Sequence, residues 1–171
     1  DLHLLSRRQR QMCIRDRFGE EPVENVNLLS YNIEKLDTLF SPDEKAARIY
    51  VNFCNPWQKA GDHKRRLTHT RQLNTYKKVL APGGELWFKT DNTDLYLATQ
   101  RYLAEAGFEI LCKTDDLHSE DAPGNIQSEH EVMFTAEGIK TKAIIARWNG
   151  EPETPERVST EQAEKVENTA E

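Results

Sequence analysis

The chain has 171 residues, room for one domain of ordinary size. Apolar residues make up 37% and charged residues 30%, enough for a modest core, and no apolar run reaches the ~18 residues that a membrane helix needs. The net charge of −6 is uneven: residues 151–171 carry seven glutamates against Arg157 and Lys165, whereas residues 1–17 carry five arginines against Asp1 and Asp16.

Residues 1–17 show no helical or strand period and lack the apolar stretch of a secretory signal. They read as a disordered leader, or as sequence outside the natural gene start, with a basic arm on RNA as the alternative. Residues 26–31 (VNLLSY) are a possible strand. Ser41-Pro42-Asp43-Glu44 predicts a helix start, with Ser as cap, Pro at the first helical position and an acidic first turn. Residues 49–53 (IYVNF) predict a buried strand. Leu73, Tyr76, Val79 and Leu80 recur at helical spacing, and Ala81-Pro82-Gly83-Gly84 stops that helix. Residues 85–90 (ELWFKT) predict a second buried strand. Asp91-Asn92-Thr93 then offers capping side chains to a helix with Leu95, Tyr102, Leu103 and Ala106 inward, ended by Gly107. Residues 108–113 and 142–148 are further strands, separated by a short helix beginning near Ser128. Residues 150–171, rich in Glu, Thr and Pro, predict a disordered acidic tail.

Alternating strands and helices predict an α/β fold with a mainly parallel sheet. Ligands bind such sheets outside the carboxyl ends of the strands. Those ends here are Cys54-Asn55-Pro56-Trp57 and Thr90-Asp91-Asn92, both polar. Cys13, Cys54 and Cys112 are too few and too far apart for a disulfide scaffold, and there is no Cys-x-x-Cys for zinc. Such cysteine usage fits a reducing, cytoplasmic compartment.

The densest chemical signal follows the first of these strand ends. Lys59, His63, Lys64, Arg65 and Arg66 fall close together beside Trp57. Guanidinium forks hold phosphates, and an indole offers a face on which a base stacks. The plainer reading is a solvated charge run at the start of a helix, although cations there oppose the helix dipole.

Five stretches occur in order: Phe53-Cys-Asn-Pro-Trp-Gln-Lys59, His63-Lys-Arg-Arg-Leu-Thr68, Leu80-Ala-Pro-Gly-Gly84, Phe88-Lys-Thr-Asp-Asn92 and Ser128-Glu-His-Glu131. Together they resemble the bacterial tRNA (guanine-N7-)-methyltransferase family over residues 22–149. The resemblance implies a Rossmann-like class I methyltransferase fold, S-adenosyl-L-methionine as methyl donor, and tRNA as partner and substrate. It also implies methylation at N7 of a variable-loop guanine. Asn55 stands where the family usually has Asp beside the donor and catalytic centre. Asn32 stands where the family has an acidic residue or amide near the adenine. Lys59 and Asp91 match substrate-contacting positions, as do Ser128, Glu129, His130 and Glu131 in the family's Thr-x-x-Glu motif. His63, Lys64, Arg65 and Arg66 would meet tRNA phosphate. Read without the family, Ser128 to Glu131 is equally a capping box, Asp91 equally a helix cap, and His63 either a phosphate contact or an acid/base group.

The resemblance also has a gap. No Gly-rich turn precedes Val26, although the family's first strand carries one for the donor. The chain therefore reads as the carboxyl-terminal part of such an enzyme, expected to bind the donor weakly. Its division is a leader at 1–17, a methyltransferase domain at 18–149 and a tail at 150–171. The rival is a non-catalytic tRNA-binding protein or subunit on the same fold; a methyltransferase acting on another nucleobase is a weaker third.

Overall fold

β-branched and aromatic residues in β1 (Ala46–Asn52) and β2 (Leu80–Thr90) make two extended segments that share a buried face. The computed structural model describes residues 29–119 and 124–150, and within it these strands pair in parallel. Ile49 lies opposite Leu86 and Val51 opposite Phe88, and Leu86 and Phe88 are fully buried.

Helix α1 (Thr70–Val79) connects the two strands and packs on that face. His69 caps it, Nδ1 accepting from the Arg71 N–H at 3.1 Å, and Leu73, Tyr76 and Val79 point inward at helical spacing. Helix α2 (Thr93–Glu105) follows β2 and covers the same face with Leu95, Ala98, Thr99 and Leu103. Asn92 is its N-cap, Oδ1 accepting from the Leu95 N–H at 2.8 Å. Its other end is a Schellman turn. Gly107 takes φ 74°, and the Phe108 and Gly107 N–H groups donate to the carbonyls of Leu103 and Ala104 at 2.9 and 3.0 Å.

β3 (Glu109–Thr114), helix α3 (Glu129–Ala136) and β4 (Lys142–Trp148) complete the described residues. The strand order is β1-β2-β4-β3. As expected, the sheet is mainly parallel in direction: among the described strands β1, β2 and β3 run the same way, and β4 alone runs antiparallel, to both of its neighbours β2 and β3. β4 inserts between β2 and β3, burying Ile144 and Ala146 in the core. The α/β, Rossmann-like class holds; the strand directions at its carboxyl-terminal side are mixed.

The helix expected after Ser41 does not form. The Ser41 N–H donates to Glu44 Oε2 at 2.8 Å and the Glu44 N–H to the Ser41 carbonyl at 2.9 Å. These bonds close a single turn, and the chain enters β1 at Ala46. A short 3-10 helix, Ile33–Thr38, precedes it instead, capped by Asn32. Of the possible strand at 26–31, residues 26–28 lie outside the described residues, and 29–31 form no strand. The leader at 1–17 also lies outside them, as does the tail apart from Gly150.

Residues 81–84 loop out of the β1–β2 ladder, since Ala46 pairs with Leu80 and Arg48 next pairs with Glu85. A Cβ on Gly84 would stand 2.7 Å from the Ala81 carbonyl oxygen. Gly84→Ala is therefore expected to shift backbone and lose ~1–3 kcal/mol. A urea midpoint equal to that of the parent would contradict the tight turn.

Candidate active site

Parallel pairing places the carboxyl ends of β1 and β2 side by side, and the chain turns sharply after each. After β1, Phe53 and Trp57 adopt φ of 50° and 43°, a left-handed backbone that non-glycine residues rarely take. Such strain costs ~1–3 kcal/mol per residue and persists only where surroundings hold it. Three contacts hold it here. The Phe53 N–H donates to the Lys89 carbonyl at 2.9 Å. Asn55 Oδ1 accepts from the Trp57 N–H at 3.0 Å. Arg66 donates from Nε to the Pro56 carbonyl at 2.7 Å and from Nη2 to the Trp57 carbonyl at 3.3 Å.

That last contact corrects the expectation for Arg66. It is only 4% exposed, and its guanidinium clamps the Asn-Pro-Trp loop rather than facing tRNA phosphate. The neighbouring cations do reach solvent. Lys59 and Lys64 are exposed, and Arg65 lies 5.0 Å over the Trp57 ring with Asp62 at 3.4 Å. Lys59 precedes a 3-10 turn, Ala60–Arg65, and Lys64 and Arg65 form its last residues; it is not the start of an α-helix. His63 is half-buried, Nε2 lying 3.4 Å from the Gln58 carbonyl.

After β2, Thr90 Oγ1 accepts from the Asn92 N–H at 3.1 Å, and Asn92 caps α2. Asp91 is thus not the cap. Its carbonyl accepts from Lys142 Nζ at 3.1 Å, while its carboxylate lies at the cleft without a partner among the described residues.

The third wall is α3. Ser128 and Glu131 form a full capping box: Ser128 Oγ accepts from the Glu131 N–H at 3.3 Å, and Glu131 Oε2 from the Ser128 N–H at 2.8 Å. Glu131 is fully buried and bonded to Lys89 Nζ at 2.8 Å, so its carboxylate turns inward, away from any substrate. Burial pushes that carboxyl up, but the Lys89 ammonium and the Ser128 N–H outweigh it and hold it below its ordinary range. The expectation of direct substrate contact is corrected for Glu131. Glu129 is exposed on the outer turn. His130 faces the cleft, its ring 5.5 Å from Phe53 and 5.7 Å from Phe134.

These three walls enclose an open cleft of about 1390 Å³ that Asn55, Trp57, Arg65, Asp91 and His130 line together. Asn32 is not among its lining residues; it stands beside Ile33, which is, and its Oδ1 accepts from the Glu34 N–H at 3.1 Å. Cys54 and Tyr76 lie at the floor. Burial pushes the Cys54 thiol up to about 11, so it stays neutral near pH 7 and is no nucleophile. The Tyr76 hydroxyl is buried and meets no hydrogen-bond partner at normal geometry among the described residues, Gln72 being the side chain nearest to serving it. Phe53, Tyr76 and Phe134 are site residues that the sequence reading did not single out. Phe53 ends a strand run and the other two sit at helical core spacing, so periodicity assigns all three to packing.

Residues 6–144 match the model of a family described as "Putative methyltransferase". The chain belongs to that methyltransferase family. It is 47% identical over 124 residues to a tRNA (guanine-N(7)-)-methyltransferase of Clostridium botulinum (strain Alaska E43 / Type E3), covering 72% of this chain and 57% of the relative. It is 48% identical over 128 residues to the enzyme of the same name from Clostridium kluyveri, covering 75% and 60%. The methyltransferase chain thus spans somewhat over half the length of these curated relatives. A solved SAM dependent methyltransferase from Archaeoglobus fulgidus aligns with a TM-score of 0.39 and 14% identity, over 73% of this chain and 69% of that one. No described helix is long and apolar enough to cross a membrane.

Proposed function

We propose that this methyltransferase domain serves transfer of a methyl group from S-adenosyl-L-methionine to N7 of a guanine in the tRNA variable loop, in the cytoplasm. The observation that carries the reading is Asp91, whose carboxylate has no partner among the described residues and which lines one cleft with Asn55 and His130. The names of the relatives support it.

Guanine N7 holds an in-plane lone pair and no proton, so no general base is required. The reaction needs alignment of N7 with the methyl carbon and its leaving sulfur. A neutral Asn55 is compatible with that demand, because its amide can hydrogen-bond without carrying charge. Asp91 accepts from guanine N1–H and the N2 amino group, selecting guanine over adenine. It also opposes the positive charge that the base acquires on methylation. The Phe53 and His130 rings offer faces for a purine. Ser128 and Glu129 stand at the start of α3, next to His130 in the chain.

The donor supplies an electrophilic methyl group on a sulfonium. The described residues fit its less polar portion: Ile33, Ile49, Cys54 and Leu67 line the cleft, and the Tyr76 hydroxyl at the same cleft can offer a hydrogen bond. Asn32 stands near that wall and is the polar residue assigned to the adenine side.

Lys59, Lys64 and Arg65, with His63, hold tRNA phosphates. Each phosphate neutralised adds about −0.7 to −0.9 to the slope of log affinity against log salt. The Lys59→Ala/Lys64→Ala/Arg65→Ala variant is expected to flatten that slope by roughly two to three contacts. An unchanged slope would remove the basic loop from the interface. Arg66→Ala should instead lower the melting temperature, because it frees two strained carbonyls of the Asn-Pro-Trp loop. Methylation is tested by incubating the chain with donor and tRNA and analysing the nucleosides by mass spectrometry. Salt-sensitive tRNA binding with no methylation would favour the non-catalytic binder.

A further inference from the structure

Lys89 is a lysine in the middle of a fold, one residue before Thr90 and two before Asp91. Lysine is almost never this buried without a partner. Its side chain is 7% exposed, and its ammonium meets three acceptors: Glu131 Oε2 at 2.8 Å, the Ile126 carbonyl at 2.9 Å and Asn125 Oδ1 at 2.5 Å. All three N–H donors are therefore used. Glu131, wholly buried, also accepts from the Ser128 N–H at 2.8 Å and from Asn125 Nδ2 at 3.3 Å. His118 Nε2 is the other titratable group facing it, at 3.9 Å.

None of these side chains lines the cleft, yet the cluster joins its two halves. On one side is the strand whose end presents Asp91. On the other is the loop and helix that present His130 and Phe134. Val132 and Met133, on the outward side of α3, are 55% and 47% exposed. An apolar pair of the same volume would bury as well without the desolvation cost of two charges. What the ion pair adds is direction: an ammonium with three fixed acceptors permits one seating of the α3 N-terminus against β2.

We propose that Lys89, acting through Glu131, is a positioning residue that fixes the distance between Asp91 and His130 across the cleft. The proposal rests on the guanine-binding reading above for its consequence, and on the cluster geometry for its cause. It is tested on the full chain with Lys89→Met and with Asn125→Ala, a milder change that removes one acceptor. Two quantities are measured: amide hydrogen exchange at residues 124–132, and affinity for guanosine 5′-monophosphate beside affinity for tRNA. Lys89→Met is expected to raise exchange at 124–132 at least tenfold over β1 and β2. It should weaken guanosine 5′-monophosphate at least tenfold and leave tRNA affinity within threefold. Asn125→Ala should move both in the same direction by a smaller factor, and it decides the matter if Lys89→Met does not fold. Nucleotide affinity within twofold of the parent in both variants would overturn the proposal, as would exchange at 124–132 that rises no more than exchange in β1 and β2. If the parent chain takes up no nucleotide, the guanine reading fails, and the local exchange rise alone then upholds or overturns the positioning role.

Discussion

Asp91→Asn is expected to lower kcat/KM for methyl transfer to tRNA guanine by roughly 30- to 1,000-fold while leaving the melting temperature nearly unchanged. Two separate facts combine to give this split. The helix cap belongs to Asn92, so the change leaves α2 capped. The Asp91 side chain is exposed and partnerless among the described residues, and surface changes of that kind stay within about 0.5 kcal/mol. Against the base, however, Asn loses the charge facing N1–H and N2, and its amide can present a donor to donors. Removing a charged acceptor from a site closed around its ligand costs ~2–4 kcal/mol of transition-state stabilisation. Thermal melts paired with transfer kinetics on one preparation separate the terms. Near-normal kinetics would leave Asp91 with its carbonyl contact to Lys142 and nothing more.

Lys89→Met is expected to cost ~3–5 kcal/mol of folding stability at pH 7, because it leaves the Glu131 carboxylate buried without its cation. The loss should depend on pH with a definite sign. In the parent, the Glu131 carboxyl sits below its ordinary value of 4.5 in the folded state. Its contribution is complete above that pH and is lost as pH falls through the lower, folded value. In Lys89→Met, the Ser128 N–H and the Asn125 amide still favour the carboxylate, but burial, the largest influence, is no longer opposed by the ammonium and raises the same group. The variant is then penalised as pH rises through the raised value. The stability gap between the two should narrow toward pH 4 and widen toward pH 7. Urea unfolding at both pH values measures it. A gap that stays constant would mean that the pair is not the source of the loss.

Where the governing interactions are local, the sequence was readable. Asn92, Leu95, Leu103 and Gly107 describe α2 from cap to Schellman turn, all within one helix length. The same holds for the capping box at Ser128 and Glu131, where the plainer reading turned out to be the physical one. Ser41 and Glu44 show the limit of local signals. Their mutual bonds suit a helix start and an isolated turn equally, and the residues entering β1 decide between them.

The direction of β4 lay beyond such signals, because its antiparallel placing between β2 and β3 depends on pairings over many tens of residues. So did the fate of individual cations. Arg65 and Arg66 are adjacent and chemically alike. One stacks over Trp57 at the cleft, and the other is buried against the carbonyls of Pro56 and Trp57. Lys89 sits in a hydrophobic strand run, and only the fold reveals Glu131 opposite it. Residues of several motifs meet at one cleft, but which of them line it and which brace it is a matter of burial.

In the proposed reaction, the cleft at the carboxyl ends of β1 and β2 takes a tRNA guanine for methylation at N7. The chain and its Asp91→Asn variant are incubated with tRNA and saturating S-adenosyl-L-methionine, and the modified nucleosides are measured by mass spectrometry. The parent is expected to yield 7-methylguanosine, confined to the variable loop, and Asp91→Asn to yield almost none. Methylation of a different base, equal yields from both proteins, or no 7-methylguanosine from a parent chain shown to bind both donor and tRNA would contradict the proposed reaction.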